Sequence, residues 1–213
     1  RERASLPRED TLERKGSETW TWATTNEAPI RLLDAGAKVF REEGYRNASV
    51  AQIVAEAGSS TGSLYHHFGG KSELFIARWQ EHYSSRNDEV RMAVRLARAG
   101  GERDPLELFL VGTRSYVMST WERRDIGRIF LGFDGPPAFE EARSESSTEW
   151  VRRNNIMLGL EGKVEQRITV GVLTSIIGEA AREVAVCTTK RQAVEVASTT
   201  EAMVRRVWPP YAR

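Results

Sequence analysis

Thr61, Gly62, Ser63 and His66 place two hydroxyls, a glycine and an imidazole close together in the stretch from Ser49 to Lys71. If Leu64 and Phe68 turn inward at about 100° per residue, Gly62, Ser63 and His66 face outward and Thr61 and Tyr65 lie on the flanks. Side chains this short let another molecule approach the start of a helix, where amide donors and the helix dipole favour a phosphate or a base edge. Tyr65 and His66 add hydrogen-bond donors, and Lys71 adds a charge. The chemistry on offer is recognition rather than bond making.

Other constellations are weaker. Gly70-Lys71-Ser72 looks like the end of a phosphate-binding loop, but the glycine required five residues earlier is Tyr65, inside a helical pattern. His66 and His67 fall on different helix faces and make a poor ligand pair, and His82, alone on its helix, is expected to be exposed. Cys187 sits beside Val184 and Val186 and reads as a buried structural thiol. Carboxylates occur among basic partners, as in Glu140-Glu141-Ala142-Arg143, which is the pattern of a solvated helix face. No catalytic set, metal site or cofactor is expected.

The elements that must hold these residues are helices throughout. Ile30, Leu33, Ala37 and Phe40 recur at helical spacing, and Gly44 marks a stop. Ser49 with Gln52 forms a capping-box signature for a short helix with Ile53, Val54 and Ala57 inside; Ala55 and Ala57 leave room for a close neighbour. Gly58 suits the left-handed turn into a third short helix, Thr61 to Phe68. Two short helices joined by a tight Gly-containing turn make a helix-turn-helix. Beyond Gly69-Gly70 the spacing predicts helices over about 71–99, 104–122, 125–133, 139–158, 163–187 and 190–207, separated by Gly and Pro punctuation. Without sustained alternation of period two, the class is all-α. Residues 1–27 are polar and read as a mobile arm, tacked down by Trp20 and Trp22.

Ser49-Val50-Ala51-Gln52-Ile53-Val54-Ala55-Glu56-Ala57-Gly58, then Gly62-Ser63-Leu64-Tyr65-His66-His67-Phe68 and Lys71-Ser72-Glu73-Leu74, closely resemble the DNA-binding domain of the tetracycline-repressor (TetR) family of bacterial transcription regulators. The likeness covers about a quarter of the chain. It implies an all-helical homodimer of about nine helices per subunit. A three-helix DNA-binding domain would occupy residues 28–72, and a ligand-binding and dimerisation domain 73–213. By position, Ser49 would touch a phosphate, Thr61, Gly62, Ser63 and His66 would face the bases, and Tyr65, His67 and Lys71 would clamp the DNA backbone. Gly69-Gly70 departs from the usual pattern and is expected to loosen the hinge to the fourth helix.

In the body, Trp79, Tyr83, Phe109, Tyr116, Trp121, Phe130, Phe133 and Trp150 are either core or the lining of an inter-helix pocket. Few charges fall on the apolar faces, so an effector taken there is expected to be largely apolar or aromatic. In the last two helices Ile168, Val172, Ile176, Ala180, Ala193, Ala197, Thr200 and Val204 form stripes that suit either a core hairpin or, as the resemblance implies, a four-helix dimer interface.

The chain has 213 residues and a formal charge of +1, which at first argues against a nucleic-acid partner. That balance is an average over a small reading head and a larger body with no DNA to touch. With one cysteine and no apolar run of about 20 residues, a cytoplasmic protein without a secretory signal or membrane span is expected. The resulting expectation is a ligand-responsive repressor that binds a palindromic double-stranded operator as a homodimer and is released by a small-molecule effector. An activator or corepressor-dependent regulator would share the fold. A sequestering module would leave the polar face of 61–67 idle, and an enzyme would need a convergent set that is missing.

Overall fold

The computed structural model describes residues 27–131, 134–158 and 163–208. The expected arm, with Trp20 and Trp22, lies outside them, as do Phe133 and the Gly159–Gly162 and Pro209-Pro210 breaks. Among the described residues nine α-helices follow one another: α1 (Glu27–Asn47), α2 (Val50–Glu56), α3 (Thr61–Phe68), α4 (Lys71–Ala99), α5 (Pro105–Glu122), α6 (Arg124–Leu131), α7 (Pro137–Leu158), α8 (Val164–Val186) and α9 (Lys190–Val207).

Local chemistry sets most of the boundaries. The Ser49 hydroxyl accepts from the Gln52 amide, and Gln52 Oε1 accepts from the Ser49 amide at 2.8 Å, completing the capping box of α2. Asp104 accepts from the Leu106 amide at 2.7 Å with Pro105 behind it, and Thr189 forms a second box with Gln192. Gly44 interrupts α1 with φ 76° and ψ 162°, a region essentially closed to other residues.

The head packs α1, α2 and α3 around Leu32, Leu33, Phe40, Ile53, Ala57, Leu64 and Phe68. Full burial of a side chain such as Ile53 or Leu64 is worth about 1.5–3 kcal/mol. Two expectations need correction. Ile30 is 56% exposed, because the inward stripe of α1 is centred on Leu32 and Leu33. Ala55 is exposed as well, and Ala57 alone supplies the close approach.

One core crosses the boundary expected between residues 72 and 73. Phe40 meets Phe75 edge to face at 5.2 Å, and Phe75 meets both Phe130 and Phe139 at 5.2 Å, so α1, α4, α6 and α7 share a continuous aromatic cluster. The head is joined to the body by packing as well as by chain. Farther along, α4 lies against α5, which packs on α8 and α9 around Phe109, Leu110, Val170, Leu173 and Val204. A neighbouring cluster gathers Val117, Trp121, Ala180, Val184, Cys187, Ala193 and Ala197. No helix among the described residues is long and apolar enough to cross a membrane.

Candidate functional site

The second and third helices meet through a turn in which Gly58 takes φ 55°, and the Ser59 amide closes it on the Val54 carbonyl at 2.9 Å. No neighbour lies within 4 Å of a Cβ added at Gly58, so backbone conformation alone demands glycine there. Ser60, which sequence reasoning passed over as a turn residue, caps α3 by accepting from the Ser63 amide at 3.1 Å. Its place one residue before a helical run was the available signal. Lys38 reaches Glu56 at 2.8 Å and ties α1 to α2.

With Leu64 and Phe68 buried, Thr61, Gly62, Tyr65 and His66 are exposed, and Ser63 and His67 are half-buried. Tyr65 shows 54% of its surface. The His66 and His67 rings meet edge to face at 5.0 Å, and His67 also leans on Phe68 at 6.4 Å. The structure therefore brings the expected base-facing residues onto one open surface at the start of α3.

Two of the expected phosphate contacts are already committed. Ser49 is exposed, but its hydroxyl donates to Gln52 Oε1 at 2.7 Å, so a phosphate must compete for that proton. Lys71 is half-buried: its ammonium donates to the carbonyls of Ala48 at 2.7 Å and Tyr45 at 2.8 Å, with Arg46 at 3.5 Å, and lies 4.4 Å from the Tyr45 ring centroid. These carbonyls end α1, where the dipole favours a cation. Lys71 thus binds the end of α1 to the start of α4, a different job from the backbone clamp expected of it. Gly69-Gly70 joins α3 to α4. Gly69 caps α3 at φ 88°, and a Cβ on buried Gly70 would lie 2.9 Å from Glu73 Oε2.

In the body a cavity of about 280 Å³ opens between α4, α5, α6, α7 and α8. Of the aromatic residues expected to line a pocket, Trp79, Tyr83, Tyr116, Phe130 and Trp150 do so. Phe109 and Trp121 do not. They are buried in the two clusters against α8 and α9. Trp79 and Tyr83 stack at 5.4 Å with planes 23° apart, and the Tyr83 hydroxyl donates to the Ser146 carbonyl at 3.1 Å.

His82 lines the same cavity and corrects an expectation: it is 4% exposed, packed against Phe130 at 5.7 Å. Burial, helped by the positive field of Arg86, Arg78 and Arg123, pushes its imidazole pKa down to about 3. Arg86, Arg143 and Arg182 also line the space, so its walls carry more charge than the apolar faces suggested. Residues 79, 82, 83 and 86 share one helical stripe, the spacing through which His82 and Arg86 were legible beside Trp79.

The stripes of α8 and α9 divide. Ile168 is 60% and Val172 42% exposed, and Ile176 is half-buried beside them. Ala180, Ala193, Ala197, Thr200 and Val204 are buried within the protomer, because that side of the two helices faces α5 and each other. Ala180 and Thr200 still reach the floor of the outer groove.

Residues 32–77 match the family described as bacterial regulatory proteins, tetR family. The transcriptional repressor AcnR of Corynebacterium efficiens is 32% identical over 80 residues, which are 36% of this chain and 39% of that protein. The transcriptional activator FasR of Mycolicibacterium smegmatis is 40% identical over 65 residues, 30% of each chain. The chain therefore matches about two fifths or less of the length of these curated relatives. A TetR-like transcriptional regulator from Rhodococcus sp. RHA1 has the same fold, with a TM-score of 0.67 at 20% identity, covering 85% of this chain and 96% of that one. Relatives of this kind are regulators rather than enzymes. Residues 32–77 thus resemble the tetR family in sequence, and the chain as a whole shares the fold of TetR-like regulators.

Proposed function

We propose that the protein is a ligand-responsive transcriptional repressor that binds a palindromic operator as a homodimer and lets go of it when a small aromatic effector occupies the body cavity. The observation that carries this reading is the open face of α3, where Thr61, Gly62, Tyr65 and His66 stand exposed on a helix whose other side is locked into the head by Leu64 and Phe68. A rigid helix with short polar side chains at its N-terminal end fits the major groove. Ser63 and His67 flank that face, and Ser49 contributes its hydroxyl only by exchanging Gln52 for a phosphate.

Dimerisation follows from the outer face of α8 and α9. Val164, Ile168, Val172, Val186, Met203 and Val207 are exposed there, around a groove of about 1080 Å³. Gly171, in the wall of this groove, has open space above it, so a second helix can approach closely there. A two-fold axis through this face pairs α8 and α9 with their copies and presents two α3 helices to half-sites about one helical turn apart. Effector and operator then oppose each other by linkage if each favours a different spacing of the heads. Selection of binding sites from a random duplex pool tests the reading: it yields an inverted repeat, whereas enrichment of single, unrepeated half-sites sinks the dimeric form of the proposal.

A further inference from the structure

The body cavity has an electrostatic asymmetry that aromatic lining does not account for. Among the described residues its walls include Arg86, Arg143 and Arg182 and no Asp or Glu. Arg143 and Arg182 have acids of their own, Glu140 at 2.6 Å and Glu179 at 2.8 Å. Arg86 has none: among the described residues no carboxylate lies within salt-bridge distance of it. Its guanidinium lies 4.9 Å from the Tyr116 ring centroid, its Nη1 is 3.4 Å from Thr120 Oγ1, and its Nε is buried with no partner. A half-buried cation without a counter-ion is costly to keep, and an anion placed beside it relieves that cost. His82 stays neutral next to Arg86, so it offers a ring donor without adding charge.

The space is small. At about 280 Å³ it lies at the low end of ligand sites, roughly 300–1,000 Å³. Such a volume suits a single ring, and the aromatic side chains that line it are the stacked Trp79 and Tyr83, Phe130, and Tyr116 with Trp150 6.5 Å apart.

We infer that the cavity is selective for a single-ring aromatic carboxylate, whose carboxylate pairs with Arg86 while its ring packs against Trp79, Tyr83 and Phe130. The inference rests on the reading of this cavity as the effector site and sharpens the expected apolar ligand into an anionic one. A guanidinium holds a carboxylate through paired N–H donors, a recognition that a neutral amide cannot match.

Benzoate, phenylacetate and 3-phenylpropionate, each against its own primary amide, are the probes. Binding to the intact protein is followed by tryptophan fluorescence and by calorimetry without DNA. At least one acid is expected to bind roughly tenfold or more tightly than its amide. Arg86→Gln brings that pair within about twofold, whereas Arg86→Lys, which keeps the charge, retains a preference for the acid. Equal binding of acid and amide to the wild type, no binding of any acid, or an undiminished preference in Arg86→Gln overturns the inference. A parallel titration in the presence of operator DNA separates the two readings. Acid selectivity with no effect on DNA binding sustains the anion site and removes its role as effector site. DNA release by the amides alone keeps the effector role and overturns the anion site.

Discussion

Asp134, in the link between α6 and α7, grips the end of α1: its Oδ2 accepts from the Arg46 amide at 3.4 Å and its Oδ1 lies 3.4 Å from Arg46 Nε. The grip falls at the kink of Gly44, where a Cβ would stand 2.6 Å from Asp134 Oδ2. Since α6 also lines the cavity through Gly127 and Phe130, the α6 side of the molecule touches both the ligand space and the base of the reading head.

Gly44→Ala should therefore be far costlier than Asp134→Ala. The first forces a left-handed conformation worth about 1–3 kcal/mol and adds the clash. The second loses a partly exposed ion pair and one long hydrogen bond to the Arg46 amide, together worth about 1 kcal/mol. In urea melts the double variant should be less destabilised than the sum of the two, because the clash disappears while the strain stays. Strict additivity would show that Asp134 does not press on that site.

Lys71→Met should destabilise the fold by about 1–3 kcal/mol, the worth of a charged donor to several carbonyls. Its effect on the salt dependence of DNA binding should be slight, because the ammonium is already bound to α1. A fall of about one unit in the slope of log affinity against log salt would instead assign Lys71 to a phosphate.

Acid should weaken the protein through His82. Its pKa is about 3 in the fold, against the ordinary value of 6.5, so below pH 6.5 the unfolded chain takes up a proton that the folded chain refuses. Its contribution to stability is complete above pH 6.5 and declines as the pH falls from there toward 3. Between pH 6.5 and 5.5 this one group removes about 1 kcal/mol from the free energy of unfolding. His82→Gln should abolish that part of the slope, and an unchanged slope would place a proton on the buried ring.

Ile168→Glu should give a folded monomer in sedimentation, since the side chain is exposed on the outer face of α8. Val204→Glu should instead unfold the protomer, because it buries a charge between α5, α8 and α9. If Ile168→Glu stayed fully dimeric, the two-fold contact would lie elsewhere.

Much of this was readable from local chemistry. The capping box at Ser49, the helix start at Asp104-Pro105, the left-handed Gly58 and the limits of α4 and α9 depend on neighbouring residues alone, and the structure has each as the sequence implies. Direction of burial was harder. Periodicity marks an apolar stripe on α9 but not whether α5 or a second copy covers it, so on spacing alone Ala193 and Ala197 suit a core hairpin and a dimer interface equally. The burial of His82 is hidden in the sequence for the same reason: nothing within α4 shows that α6 folds over it at Phe130 and Gly127. Lys71 carries a family signature, yet its bonds to Tyr45 and Ala48 span more than twenty residues of chain and exist only once α1 and α4 have packed.

The central claim is that the open face of α3 reads operator DNA. Fluorescence anisotropy with duplexes from the region upstream of the protein's own gene, at several salt concentrations, tests it most directly. Wild type is predicted to bind one duplex at least about a thousandfold more tightly than its scrambled version, with two chains per site. Tyr65→Ala should weaken every duplex alike, whereas His66→Ala should change which bases are preferred at its position. Equal affinity for every upstream duplex and its scrambled version, unaltered by Tyr65→Ala and His66→Ala, would contradict the account.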